Sequence, residues 1–468
     1  MNTPQDAPIF IQPPPSGPRP GRTRLIAMLV AASVVLASAV AAGVWLLLSP
    51  SPEVGQQDSG AGQQSKAQLP WSLPYTKSGR EQPTMVRGLW FTDRFVVKAL
   101  PDGIAGLDRG TGKRVWGTPT PGVGSVVCQA STDDSDGIAV LASGVGEECS
   151  TFFAIDLASG KVLWEHELAQ DEWVRESGTR IARSGNTVVV NAKTRKTTAF
   201  RVSDGKKLWT DSKAVYGGHD CKGTGYTGGR QLIRLQRCYS DDPDAIGAPY
   251  DVAAVDPASG HTRWTYRLGE DGVLTKVLAT SPVVIGESPR DSGMRLTVID
   301  GGKRRSSLAA GPERQLSGSG RGDGSPDTAV QIAGDTITVV ADKLKTDSNE
   351  NNKIIGWSLS SGKRLWEHTA QGKLQSYHAV ASDTGDLLAY VSGNRYDPAS
   401  LVKLDPKNGR QSIVHKYEPS PKGKPWIGAD PLALVDRKVL YLSVGFGFEV
   451  RGIGTEPDER SLIALPAA

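Results

Sequence analysis

Several things are scarce in this chain, and each scarcity removes a class of explanation. Cysteine occurs four times in 468 residues, never as Cys-x-x-Cys and never with a His at ligand spacing, so no zinc site is written into the sequence. No two cysteines are adjacent. Charge of one sign is not in excess: 54 Lys and Arg stand against 50 Asp and Glu. Beyond the N-terminal tail and its apolar run the balance is 51 basic to 49 acidic residues, without the basic excess that phosphate neutralisation uses, so no nucleic-acid partner is expected. Long hydrophobic runs are limited to one, Leu25 to Leu48. Outside that run no segment keeps a 3.6-residue apolar period, which excludes helical bundles and helical solenoids.

Glycine and proline are plentiful, 54 and 30 residues, as turn-dense β chains require. A short phrase recurs: an acidic or polar residue, small residues, Gly, usually Lys, two residues, then Trp. It runs from Asp108 to Trp116, Asp156 to Trp164, Ser203 to Trp209, Asp256 to Trp264 and Ser358 to Trp366. Two copies beginning at Asp300 and Asp405 have lost the Trp, with Leu308 and Ile413 as the candidates for its place. Asp side chains bond turn amides and Gly accepts positive φ, so the phrase is a tight hairpin. The flanking runs, such as Phe152 to Ile155 and Lys161 to Trp164, are β-forming. Further apolar runs upstream, among them Ile138 to Leu141 and Thr187 to Val190, supply more strands per unit.

The spacing identifies the architecture. Trp116, Trp164 and Trp209 are 48 and 45 residues apart, the length of a four-stranded propeller blade, and Trp71 precedes Trp116 by another 45. The tail has a strand pair, Lys438 to Ser443 and Ser461 to Leu465, with no turn and Trp after it. The strand around Trp71 is therefore expected to complete a last blade begun by residues 426 to 465. The fold class expected is all-β, an eight-bladed β-propeller over residues 68–468, preceded by one transmembrane α-helix. The phrase resembles the repeat of the PQQ-like propeller superfamily, which includes quinoprotein dehydrogenases and the BamB assembly lipoproteins. That resemblance implies that Trp71, Trp116, Trp164, Trp209, Trp264 and Trp366 dock between neighbouring blades.

Two segments precede the propeller. Residues 1–24 are polar and Pro-rich and are expected to be disordered. Residues 25–48 would span about 36 Å as a helix, enough to cross a membrane. Arg19, Arg22 and Arg24 flank the run on one side and Glu53 and Asp58 follow it, so the tail is assigned to the cytoplasm and the propeller to the outside, as a single-pass protein of the cell membrane. Cleavage at Ala37-Ser38-Ala39 is the competing reading; the continuation of the run to Leu48 and the long tail favour the span. No Cys directly follows the run to carry a lipid. Residues 49–67 read as a flexible tether. Outside a membrane, Cys128 with Cys149 and Cys221 with Cys238 are expected to form two local disulfides.

Chemistry-bearing patterns mostly dissolve into the repeat. His166 and His368 each follow Trp-Glu at one repeated strand position, and the Ser-x-x-Lys matches at Ser203 and Ser360 are turns. Arg321-Gly322-Asp323 lies in a Gly/Ser-rich loop. The loop at Asp347 lacks the Gly and the final carboxylate of an EF-hand loop, Asn352 and Ser358 standing there, and it and the acidic loops at Asp133 and Asp241 are read as solvated hairpin loops, so no metal is assigned. The dehydrogenases of the resembled family hold quinone beside a vicinal disulfide, with calcium and an Asp base; that set cannot be carried onto this chain, so no cofactor and no catalytic residue are assigned. The function expected is a non-catalytic binding or scaffold module, probing a protein or small ligand outside the membrane through the insertions Tyr239 to Tyr250, Gly311 to Asp327 and Asp342 to Lys353, and monomeric. A sensor coupled to the tail and a quinone oxidoreductase are the alternatives.

Overall fold

The computed structural model describes residues 71–74, 88–131, 136–145, 148–168, 174–175, 180–191, 197–211, 215–216, 219–238, 250–268, 272–289, 294–311, 314–316, 330–343, 352–371, 375–393, 397–417, 432–443 and 460–467. The tail, the apolar run 25–48 and the tether lie outside them. Among the described residues no helix is long and apolar enough to cross a membrane.

Every main element is a β-strand, and the strands fall into consecutive antiparallel sets of four. Blade 1 is Leu89–Phe91, Phe95–Leu100, Gly103–Asp108 and Arg114–Pro119. Blade 2 is Val126–Ala130, Ile138–Gly144, Thr151–Asp156 and Val162–Glu167. Blades 3, 4 and 5 follow over residues 180–211, 219–267 and 272–311. Blade 6 covers 314–369, its innermost place shared by Arg314–Leu316 and Val330–Ala333, and blade 7 covers 377–416. Blade 8 takes three strands from 432–466 and its fourth, Trp71–Pro74, from the other end of the chain. Trp71 stands opposite Ala464 and Leu73 opposite Leu462.

Burial explains the residue choice. Second and third strands are covered on both faces by neighbouring blades and are mostly apolar, as in Phe95–Leu100, where all six residues are buried and Lys98 is the one charged residue. Fourth strands are covered on one face and alternate, as in Val162–Glu167. Successive apolar clusters each combine residues of adjacent blades. One of them joins Val96, Leu100 and Leu107 of blade 1 to Trp71, Tyr441 and Leu462 of blade 8, so the ring is closed. Arg109 pairs with Asp436 and Arg437 with Asp93 across the same seam. Near the axis, Trp90 donates to Ser131 O (2.8 Å), Gln231 to Thr280 O (2.8 Å) and Gln331 to Leu388 O (2.9 Å), each across to the next blade.

Candidate functional site

The turn of the phrase is built as its chemistry demands. Asp108 Oδ1 accepts from the amides of Gly110 (3.1 Å) and Thr111 (2.9 Å), and Asp156 Oδ1 accepts from that of Ser159 (2.7 Å). Gly160 has φ 74°, and a Cβ there would come within 2.4 Å of the Trp116 ring, so both the backbone and the neighbour require glycine. Just after the turn the fourth strand carries one extra residue in blades 1 to 6, a β-bulge that turns the Trp toward the next blade.

The six tryptophans meet the next blade's turn. Trp164 Nε1 donates to Val202 O (2.6 Å), Trp209 to Pro257 O (2.8 Å), Trp366 to Pro406 O (3.0 Å) and Trp71, across the seam, to Arg109 O (3.2 Å). Trp264 lies against Gly302, and Trp116 covers Gly160, although its buried indole N–H has no acceptor. Two residues further on a second contact recurs that the sequence did not advertise. His166 Nε2 meets Gly205 O (2.6 Å), His368 Nε2 meets Gly409 O (2.7 Å) and Thr118 Oγ1 donates to Gly160 O (2.5 Å). Since a carbonyl only accepts, each imidazole carries its proton on Nε2.

The two weak copies differ from the expectation. Counting from Gly302, the Trp place belongs to Ser306, which stands opposite Val298 and donates to Leu359 O, the acceptor that a Trp would use. Leu308 is instead the second contact position and is fully buried. In blade 7 the bulge moves to Val414, so Ser412 stands opposite Lys403 and Ile413 turns to the other face, 57 % exposed. The reason lies in blade 8: its third and fourth strands come from opposite chain ends, so no turn follows to hold a docking side chain.

Strand direction sorts the connections into two ends. First-to-second and third-to-fourth connections leave from one end and never exceed seven residues, as in Thr92–Arg94 and Arg109–Lys113. Longer connections between successive strand places leave from the opposite end, including the insertions Tyr239 to Tyr250 and Asp342 to Lys353, whereas residues 317–329 of the third insertion interrupt the first strand of blade 6, between Leu316 opposite Ala341 and Val330 opposite Val339; the loops themselves lie outside the described residues. That loop end is braced. Cys128, in a bulge of the first strand of blade 2, is bonded to Cys149, with Cα atoms 6.3 Å apart. The short strand Glu148–Cys149 also pairs with Val174–Arg175, knitting one loop to the next. Cys221 stands opposite Cys238 in the backbone register of blade 4, at the same end; their side chains lie outside the described residues.

Titrating groups are few in the interior. Lys98, between blades 1 and 8, is 1 % exposed, its ammonium donating to Ala99 O (2.8 Å), and burial holds its pKa down to about 7. Burial pushes the phenols of Tyr390 and Tyr417 up, and neither hydroxyl has a partner. At the surface, the hydrogen bond from Arg263 and those from Ser259 hold the Asp256 carboxyl at about 2. Among the described residues no three His, Cys, Asp or Glu side chains are grouped as a metal site. The quinone set does not fit what is present: the one described disulfide links cysteines 21 apart on different strands, not neighbours in the chain that could stack on a quinone.

A ring of four-stranded blades, each locked to the next by a turn glycine and an aromatic side chain, defines a PQQ-like β-propeller. A family model described as outer membrane protein assembly factor BamB matches residues 61–226, 101–368 and 248–443, and the chain belongs to that family. A quinohemoprotein alcohol dehydrogenase, ADHIIG from Pseudomonas putida HK5, is similar in fold, with 11% identity, TM-score 0.51, and coverage of 85% of this chain and 75% of that one. The crystal structure of BamB from Moraxella catarrhalis matches with 14% identity and TM-score 0.46 over 81% of this chain and 92% of that one. No curated protein matches the sequence.

Proposed function

We propose that this chain is a non-catalytic binding or scaffold module that engages a protein partner through the loop end of its propeller, outside a membrane spanned by residues 25–48. The observation that carries the reading is the division between the ends: apart from residues 317–329, which interrupt the first strand of blade 6, the long connections leave from one end, beside a disulfide and a loop-to-loop strand pair, while the other end is closed by short turns. Membership of the BamB family supports a scaffold over an enzyme, because the fold alone serves both kinds of protein. The membrane span and the external location rest on the sequence, from the length of the apolar run and the arginines before it.

Photo-crosslinking side chains introduced into the full-length protein test this. Placed at Ser240, Ser319 or Asn349 of the loops, they should each yield a discrete adduct in native membranes, and at Ser159 or Ser259 of the turns they should not. Adducts from the turn positions alone would overturn the assignment of the partner surface.

A further inference from the structure

The fold leaves one part of the repeated phrase unused, the side chain immediately after the turn glycine. In seven successive turns it is Lys113, Lys161, Lys206, His261, Lys303, Lys363 and Arg410, and each is exposed. The turns use only their amides, as when Lys113 N donates to Thr111 Oγ1 and Lys206 N to Asp204 Oδ1. Among the described residues no ion pair or hydrogen bond reaches any of the seven side chains. All seven lie at the turn end, one per blade, on a circle interrupted only at blade 8.

The carboxylates of that end are otherwise engaged. Asp93 pairs with Arg437, Asp136 with Arg183, Asp204 with Arg201, Asp256 with Arg263 and Asp386 with Lys403. Asp335 accepts from Ser358 and Ser360, and Asp108, Asp156 and Asp405 cap their own turns. Asp300 is exposed, and Asp133 and Asp134 lie outside the described residues. The turn end thus carries the cations Lys113, Lys161, Lys206, Lys303, Lys363 and Arg410, while its described carboxylates, Asp300 apart, are paired or cap turns.

Apolar side chains stand among the cations. Two residues after Lys113, Lys161 and Lys363, the bulge presents Val115, Leu163 and Leu365, which are 48 %, 39 % and 41 % exposed. A soluble polyanion makes no use of them, whereas a bilayer surface takes both, cations at the phosphates and short apolar side chains at the acyl boundary. The chain also enters the propeller at this end, at Trp71. Only residues 49–70 separate that entry from the apolar run in the sequence.

We infer that the turn end of the propeller is a docking surface for an anionic phospholipid membrane, held by the post-glycine cations Lys113, Lys161, Lys206, Lys303, Lys363 and Arg410 and the bulge residues Val115, Leu163 and Leu365. This adds to the proposed function, since a bilayer at one end leaves the loop end for the partner.

The test uses the full-length protein reconstituted in vesicles of phosphatidylcholine alone or with about 30 % phosphatidylglycerol, pulsed with an amine-selective reagent and read site by site by mass spectrometry. Lys113, Lys161, Lys206 and Lys363 should label several-fold more slowly in the anionic vesicles, and Lys416 at the loop end should not change. The protection should vanish at about 1 M salt, where the screening length falls to about 3 Å. A Lys113→Gln, Lys161→Gln, Lys206→Gln variant with the wild-type melting temperature should lose protection at Lys363 as well. Equal labelling in both vesicle types overturns the proposal, and so does protection by soluble polyphosphate in detergent without a difference between vesicles, which would assign the ring to an anionic polymer. Failure of the protein to float with either vesicle type would instead count against the membrane span.

Discussion

Replacing Trp71 by Ala tests the closure of the ring at its weakest place. The closing strand has four residues and ends in Pro74, so its hold on blade 8 is a short ladder plus one side chain. That side chain is 9 % exposed, packs 6.1 Å from the Tyr441 ring and donates to Arg109 O. Truncating a buried Trp costs about 3 to 5 kcal/mol in the usual range. A domain of about 400 residues unfolds with an entropy near 0.8 kcal/mol/K, at about 2.1 cal/mol/K per residue, so the melting temperature should fall by about 4 to 6 °C. Trp71→Phe keeps most of the packing and loses the indole hydrogen bond, about 1 kcal/mol, so a drop near 1 °C is expected. Ile413→Ala, at an exposed site on the neighbouring blade, is the control and should change nothing measurable. Differential scanning calorimetry reads all three, with limited proteolysis between residues 75 and 87 reporting release of the strand. A Trp71→Ala protein that melts with the wild type and resists cleavage would refute closure through this residue.

Four further outcomes follow from the same geometry. Because Lys98 has its folded pKa lowered from 10.5 to about 7, the unfolded chain binds the extra proton between those values, so stability should rise with pH from about 7 to 9.5; Lys98→Met should flatten that slope in urea titrations, and a parallel slope in the variant would refute it. Ser306→Ala should cost about 1 kcal/mol and Leu308→Ala about 2 to 5, and the reverse order in chemical denaturation would return Leu308 to the docking place. Peptide mapping without reduction should recover Cys221 joined to Cys238 as well as Cys128 joined to Cys149, and free thiols at either pair would count against an oxidising location. Pyrroloquinoline quinone with calcium should give neither a thermal shift nor alcohol-dependent dye reduction; both together would favour an oxidoreductase.

Much of the architecture was legible because one turn repeats and a turn has few chemical solutions. Gly followed four residues later by Trp encodes both a φ value and a neighbour, and the spacing from Trp71 to Trp116 contained the closure. The two misplaced residues show where such reading stops. Leu308 resembles Trp in being hydrophobic, whereas counting four from Gly302 reaches Ser306, which keeps the hydrogen bond and discards the ring. Ile413 counts correctly, but its bulge moved because blade 8 offers no turn, a fact about the partner and not about the strand. His166 and His368 are equivalent in the repeat, yet their acceptor, a glycine carbonyl about 40 residues away, appears only in three dimensions. Lys98 gave no signal beyond one charge inside an apolar run. The ring of cations was in the phrase from the start, but a near-neutral total conceals it, since composition does not say which end of a strand a residue occupies.

The seam between Trp71 and Ala464 also sets a clock. These partners lie 393 positions apart, so the first strand of the propeller to leave the ribosome pairs with one of the last. At about 5 to 20 residues per second the strand waits roughly 20 to 80 seconds for its partner. During that interval blade 1 shows its turn to solvent without the Trp that will cover Gly112, and each later blade is added to a ring that is still open. Pro70 and Pro74, which bracket the waiting strand, remove amide donors from its ends and so limit what else can pair with it in the meantime.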